Sequence, residues 1–318
     1  MRKILSLFLT LTLLLCALTS CSLVDSILGK DNGTVIKIGV MSGPTGMGMA
    51  KLISDEAGSE ENYVFSVYSD PSVATTDLAS GALDMLCLPT NTAAALSKKQ
   101  DISILAINCL GSLYLLSNAD NEIDSIASLE GKTIYTSVPN STTGPIINYI
   151  LKENGVNATV ETVSDHDTLV AMLATSGVPI IAVLPEPKVT AALLTNKNYS
   201  VDLNLSEEWS KVSDQPLTMG CIVVRNEFLS ANKSEVDKFL EKYENSINYV
   251  NDSSNLDSAA QMIVDANVLP KLPVAKGALV NLYGSIVYQD GAEMKESLVA
   301  FYNAIGQALP DDAVYYEK

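Results

Sequence analysis

Two stretches of this chain repeat one order of elements at nearly one spacing, and that repeat limits what the chain can fold into. In the first, the apolar run Val35–Met41 enters Ser42-Gly43-Pro44-Thr45-Gly46, and a later run, Leu83–Leu88, ends on Pro89-Thr90. In the second, Lys132–Ser137 enters Val138-Pro139 and then Asn140-Ser141-Thr142-Thr143-Gly144, and Pro179–Leu184 ends on Pro185-Glu186. Ser42 and Leu88 are 46 positions apart, and Ser137 and Leu184 are 47 apart. Between its two runs each stretch carries a helix, a strand and a second helix. Short apolar strands separated by helices of about ten residues build βαβ units around a parallel sheet. Two such stretches predict two similar α/β lobes.

The intervening punctuation supports that division. Met47–Ala57 has helical composition, and Tyr63–Ser69 alternates as a strand. Asp70-Pro71 is an N-cap followed by proline in the first helical position, and that helix stops at Gly81. Pro89-Thr90-Asn91 opens an Ala-rich helix, and Ile102–Asn108 and Leu113–Leu116 are strands on either side of Leu110-Gly111. Ser125–Glu130 is a short helix ended by Gly131, Pro145–Asn154 a helix ended by Gly155, and Asp167–Thr175 a helix ended by Gly177; Thr159–Val163 is a strand. After one more strand, Leu217–Arg225, only helices are expected: Ser234–Val250, Leu256–Ala266, Val274–Tyr283 and Ala292–Gln307. In the first of these, Val236, Phe239, Leu240, Tyr243 and Ile247 follow helical spacing and predict a core-facing stripe.

The amino terminus carries a different signal. Arg2 and Lys3 precede an almost wholly apolar run, Ile4–Leu18, which closes on Leu18-Thr19-Ser20-Cys21. A basic start, a short apolar stretch and a small-residue site make a secretory signal peptide over residues 1–20. The last four residues resemble the bacterial lipobox, which implies cleavage before Cys21 and its lipidation, with palmitate among the expected acyl groups. Residues 21–33 then form a polar, Gly-containing tether. The expected location is the extracytoplasmic face of the cell membrane, lipid-anchored. Loss of Arg2 and Lys3 takes the formal charge from −17 to −19. So acidic a chain does not bind nucleic acid by neutralising phosphates. Beyond the signal and Cys21 stand Cys87, Cys109 and Cys221, an odd number in apolar runs, read as buried free thiols, with one disulfide as the alternative. The single histidine, His166, has no ligand-spaced partner, so neither a metal site nor another cofactor is expected.

Several pieces together resemble the substrate-binding proteins of ABC importers, in the group associated with nitrate, taurine, sulfonates and thiamine-precursor pyrimidines. They are the lipobox, the strand Ile36–Met41 into Gly43–Gly46, Gly81-Ala82-Leu83-Asp84-Met85, Leu129-Glu130-Gly131-Lys132-Thr133-Ile134, and Pro185-Glu186-Pro187. The resemblance implies two Rossmann-like lobes of a type II periplasmic-binding-protein fold, with mixed, mainly parallel sheets, a two-strand hinge and a helical C-terminal segment. Residues 34–110 and 223–318 would form lobe 1 and residues 111–222 lobe 2, with crossings near Asn108–Leu113 and Met219–Val223. It also implies a monomer that closes on a small molecule and delivers it to an ABC permease.

Ligands in such sheets bind beyond the carboxyl ends of the strands. In lobe 1 those ends carry Ser42, Gly43, Thr45 and Gly46, where a helix start offers unpaired N–H groups, and Thr90 and Asn91. In lobe 2 they carry Asn140, Ser141, Thr142 and Thr143, more hydroxyls than one N-cap needs, and Glu186, held between prolines. Tyr114 either stacks on a planar ligand or packs in the hinge. Each turn residue has a plainer role open to it, as a helix cap. Arg2 and Arg225 are the only arginines, which disfavours bidentate recognition of sulfonate or phosphate. With Glu186 as an acceptor, a neutral or cationic polar solute such as a substituted pyrimidine is favoured. No nucleophile has a base placed by a motif, and no GxSxG occurs, so no enzymatic activity is expected. The alternatives kept are a binding component of a sensor system and an exported enzyme on the same fold.

Overall fold

The computed structural model describes residues 34–57, 62–118, 123–139, 141–175, 178–196 and 198–318. The expected signal peptide, Cys21, the tether to residue 33 and Asn140 lie outside them. Eleven strands are described: β1 (Ile36–Met41), β2 (Tyr63–Tyr68), β3 (Met85–Pro89), β4 (Ile102–Leu110), β5 (Leu113–Asn118), β6 (Thr133–Ser137), β7 (Thr159–Val163), β8 (Ile180–Pro185), β9 (Tyr199–Asn204), β10 (Thr218–Arg225) and β11 (Ile286–Gln289). They form two sheets, in the orders β11-β4-β10-β3-β1-β2 and β7-β6-β8-β5-β9.

The repeat in the sequence is a repeat in space. β1 pairs in parallel with β2 and β3, as β6 does with β7 and β8. The register also repeats, with Ile38 opposite Met85 and Ile134 opposite Ile181, 47 positions apart in both lobes. In each sheet the next strand, β10 or β5, is antiparallel, and a further strand, β4 or β9, pairs with it. The mixed α/β architecture is therefore present twice, with parallel pairing confined to β1–β3 in one sheet and β6–β8 in the other.

The chain crosses from the first sheet to the second through Gly111 and Ser112, between β4 and β5. It returns after the helix Leu205–Ser210, through residues 211–217. The expected return crossing at Met219–Val223 instead falls inside β10, whose Gly220–Val224 segment pairs with β3. The apolar run is a strand, but all of it belongs to the first sheet. The C-terminal third is not purely helical either: β11 adds a four-residue antiparallel edge to β4 between the helices Leu272–Asn281 and Gly291–Ala304. Beyond its reach the Tyr316 N–H donates to the Ile104 carbonyl at 3.0 Å, so the chain terminus also lies along this edge.

Local signals act as expected where they are strong. The Asp70 carboxylate accepts from the Ser72 N–H at 2.8 Å and caps the helix Pro71–Ser80, which Pro71 opens. The expected single helix Met47–Ala57 is two, Pro44–Met47 and Ala50–Glu56; the first begins inside the expected tight turn because Pro44 has its φ preset for a first helical position.

Alternate residues of β3 face opposite ways. Leu86 and Leu88 join a buried cluster with Ile134 and Val183 of the second sheet, so the two sheets share one core. Trp209 sits within it, its ring 4.8 Å from Tyr149 and 5.9 Å from Phe301, linking the return crossing to the C-terminal helix. Met85 and Cys87 face a second cluster, built with the helix Lys233–Val250, where Val236, Phe239, Leu240, Tyr243 and Ile247 are all buried. Cys221 lies opposite Leu88 rather than Cys87, so the two sulfurs leave by opposite faces, and Cys87, Cys109 and Cys221 are all free thiols. Among the described residues no helix is long and apolar enough to cross a membrane.

Candidate functional site

The carboxyl ends of β1 and β3 and the start of the antiparallel β10 meet at one edge of the first sheet. The turn after β1 is pinned at its start, where the Ser42 N–H donates to the Tyr68 carbonyl at 2.8 Å. No side chain caps the helix Pro44–Met47. A methyl group at Gly46 would sit 2.1 Å from the Met41 carbonyl oxygen, so the turn demands glycine there. Gly220 of β10 is required in the same way: a methyl would lie 2.2 Å from Thr45 Cγ2 and 2.6 Å from Asn108 Oδ1. Asn108 donates from Nδ2 to the Thr45 carbonyl at 3.2 Å, leaving its buried Oδ1 unpaired. Ser42 is exposed and Thr45 and Asn91 are half-buried, so all three can meet a solute. Thr90 cannot: it is fully buried, its hydroxyl donates to the Thr218 carbonyl at 3.3 Å, and its carbonyl accepts from Tyr302. Asn91 lies within the helix Thr90–Leu96, whose N-cap is Pro89, so it does not cap that helix.

The corresponding edge of the second sheet carries the turn after β6. The Ser141 hydroxyl donates to the Ser137 carbonyl at 3.1 Å, and no side chain caps the helix Thr143–Glu153. Capping therefore does not account for the hydroxyls of Ser141, Thr142 and Thr143, although Thr142 and Thr143 are largely buried. Val138 has φ +63°, a left-handed conformation costly for a β-branched residue.

Glu186 and Tyr114 are placed elsewhere. The Glu186 N–H donates to the Ser112 carbonyl at 2.8 Å, beside the first crossing. Its carboxylate is 1% exposed and accepts from Thr190 Oγ1 at 3.0 Å, the Thr190 N–H at 3.3 Å and Asn281 Nδ2 at 2.5 Å. Burial raises its pKa, opposed by the bonds from Asn281 and Thr190. The Tyr114 hydroxyl donates to the Asn281 carbonyl at 2.7 Å, and its pKa is pushed up to about 12, chiefly by burial and then by Glu186. Both side chains thus tie the hinge to the helix Leu272–Asn281. The expected role of Glu186 as an open acceptor is not what its bonds show.

Arg225 is also far from the site. Its guanidinium donates to Asp84 Oδ1 and the Leu83 carbonyl, each at 2.9 Å, and Asp84 accepts from the Lys37 N–H at 2.9 Å. This strut joins β1, β3 and β10 at the amino end of β3, opposite the carboxyl edge.

One functional candidate escaped the sequence. The hydroxyl of Ser137, last residue of β6, lies 2.5 Å from Nδ1 of His166, first residue of the helix His166–Thr175. Lys188, which opens the helix Lys188–Thr195, pairs with Asp167 at 2.6 Å. His166 has a lowered pKa, from burial first and then Lys188, opposed by Asp167 and Asp165. Its partner comes from a neighbouring strand rather than from ligand spacing along the chain. The β-strand, polar turn, strand order around it is the only sequence signal that brings it to this edge.

A family model described as Menaquinone biosynthesis matches residues 44–307. No curated protein matches the chain. Among solved structures, an ABC transporter protein from Parabacteroides distasonis is similar at 18% identity and TM-score 0.74, covering 90% of this chain and 99% of the other. The periplasmic aliphatic sulphonate binding protein SsuA from Escherichia coli is similar at 14% identity and TM-score 0.70, over 90% and 93%. The ligand binding component of an ABC-type import system from Staphylococcus aureus, with zinc bound, is similar at 14% identity and TM-score 0.68, over 89% and 96%. These chains share the two-lobed fold described above.

Proposed function

Because the chain belongs to the menaquinone biosynthesis family and has the fold of ABC-type substrate-binding proteins, we propose that it captures a small polar solute between its lobes and delivers it to an ABC importer. The observation that carries this reading is the pair of matching carboxyl edges. Each ends in a polar turn, and two chain crossings join the lobes. Such a pair suits hinge closure around a ligand. In this reading lobe 1 holds residues 34–110 and the chain after the return crossing, and lobe 2 the segment between. Ser42, Gly43, Thr45, Gly46 and Asn91 contact the solute from one side, and Ser141, Thr142 and Thr143 from the other; Asn140, expected to join them, lies outside the described residues. The backbone N–H groups of these turns do part of the binding, and Tyr114, Thr90 and Glu186 hold the frame.

The solute class stays broad. The preference for a neutral or cationic pyrimidine-like solute drew on Glu186, whose carboxylate already accepts from Thr190 and Asn281. The lack of a free arginine still counts against a bidentate anion grip. The signal over residues 1–20, lipidation of Cys21 and a tether to residue 33 place this capture at the outer face of the membrane in our reading. Labelling with a palmitate analogue, lost in Cys21→Ala, tests that part.

A screen of pyrimidines, sulfonates, nitrate, amino acids and bicarbonate by thermal shift, followed by calorimetry, tests capture. A solute at 100 times its Kd should stabilise the fold by about 2.7 kcal/mol. If none of them shifts the transition, the reading fails. The family description favours one second reading, an exported enzyme on this fold; chemical conversion of a bound solute by the purified protein would establish it.

A further inference from the structure

The second lobe's edge contains a side chain whose hydrogen bonding fixes what it can offer. Ser137 is 0% exposed, and among the described residues the single hydrogen bond formed by its hydroxyl is the one to His166 Nδ1, at 2.5 Å. Two arrangements fit that distance. If Nδ1 carried the ring proton and donated to Ser137, the hydroxyl proton of a fully buried serine would have no acceptor, which buried polar groups avoid. If Ser137 donates to Nδ1 instead, both atoms are satisfied and the ring proton sits on Nε2. The opposite side of the ring is different. His166 is half-buried, and its Nε2 has no hydrogen-bond partner among the described residues. A histidine locked through one nitrogen therefore presents a fixed N–H donor through the other, at the edge where parallel sheets bind ligands.

The groups around it agree. Lys188 follows β8, and its ammonium group is held at 2.6 Å on Asp167, the residue next to His166, with 36% of its side chain exposed. Asp165 does not compete for the ring: its carboxylate accepts from Ser164, from the Thr168 N–H and from the Thr168 hydroxyl. Two donors, one neutral and one cationic, therefore stand together.

We propose that His166 is a ligand-contacting residue whose Nε2–H, beside Lys188, receives an acceptor oxygen of the captured solute, a carbonyl or an acid oxygen. This rests on the solute-capture reading above. Ser137 is the positioning residue, acting only through the imidazole.

The sole histidine of the chain makes the test direct. A long-range proton–nitrogen spectrum of the purified protein at neutral pH should show the proton on Nε2, and Ser137→Ala should mix the two tautomers. Three probes follow, by calorimetry and the same spectrum: cytosine, with a carbonyl oxygen; taurine, with sulfonate oxygens; and ethylamine, with no acceptor oxygen. Cytosine or taurine should bind and move the Nε2 resonance, while ethylamine leaves it in place. His166→Phe should weaken that binding about tenfold or more, and His166→Gln, which keeps an N–H donor, should retain it within about threefold. A proton on Nδ1, a bound probe that leaves Nε2 unmoved, or unchanged affinity in His166→Phe would each overturn the contact while leaving solute capture intact. Failure of both cytosine and taurine to bind also overturns it, whether or not the wider screen finds another solute. Failure of the entire screen overturns capture itself.

Discussion

Among the described residues, replacing Asn281 with alanine removes the only donor that reaches Glu186 from outside the second lobe. Asn281 Nδ2 lies 2.5 Å from Glu186 Oε1 and 3.3 Å from Thr190 Oγ1, so the carboxylate of the variant keeps only Thr190. A hydrogen bond to a charged group contributes about 1.5–3 kcal/mol. Asn281 ends its helix at an exposed position, where water takes part of its place, so a loss near ~1.5–2 kcal/mol is expected at pH 8. For a chain of this size that lowers the melting temperature by about 2–4 °C. The loss should depend on pH, and its sign follows from Glu186. Burial raises the folded pKa above the unfolded value of 4.5. The folded state therefore binds this proton more readily, and the stability it gains is full below pH 4.5 and lost as pH rises through the folded pKa. Asn281 offsets that loss by holding the ionised form. Its removal should cost more at pH 8 than at pH 4, below even the unfolded value, where Glu186 is mostly protonated and the bond approaches a neutral one of about 1 kcal/mol. Urea unfolding of both proteins at the two pH values, with unchanged m, measures the difference. Equal losses at pH 4 and pH 8 would refute the claim that Glu186 is a hinge strut, ionised at pH 8, that Asn281 holds.

Three further outcomes are expected. Arg225→Met should destabilise the fold by about 3 kcal/mol in urea unfolding, because it leaves Asp84, 5% exposed, with the Lys37 N–H but no cation, and it should leave solute affinity unchanged. Cys87 and Cys109, whose pKa values burial pushes up to about 12, and the equally buried Cys221 should resist iodoacetamide in the native protein at pH 8 and react in denaturant, as read by peptide mass spectrometry. Because the His166 pKa is lowered when folded, the unfolded chain binds this proton more readily. Stability from this group is full above pH 6.5 and falls as pH drops toward the folded pKa, and denaturation curves of His166→Gln should lack that component.

The architecture could be read where apolar runs met strong punctuation. Asp70-Pro71, the prolines after Leu88 and Leu184, and the 46- and 47-residue spacings all became structure because each states a backbone requirement locally. β9 and β11 escaped for a shared reason. Both are edge strands, and Tyr199-Ser200-Val201-Asp202 leaves Ser200 and Val201 exposed, so no continuous apolar run announces it. The return crossing was misplaced because a strand's composition does not say which sheet it joins. At the site, the turns were visible as excess hydroxyls and glycines. The fates of Thr90, Glu186 and His166 were not, because each depends on a partner far along the chain: Thr218, Asn281 and Ser137.

The place of β10 between β3 and β4 also sets an order of assembly. All five strands of the second sheet lie within residues 113–204, one uninterrupted stretch. The first sheet needs β10 between β3 and β4, and that strand does not exist until residue 218 has been made. A chain emerging amino end first can therefore complete its later lobe while its earlier lobe is still open. In that interval β3 waits with one side unpaired and β4, whose neighbours β10 and β11 both come later, with both sides unpaired, and both are nearly continuous apolar runs. Those waiting strands are the segment most in need of shielding before β10 arrives to close them.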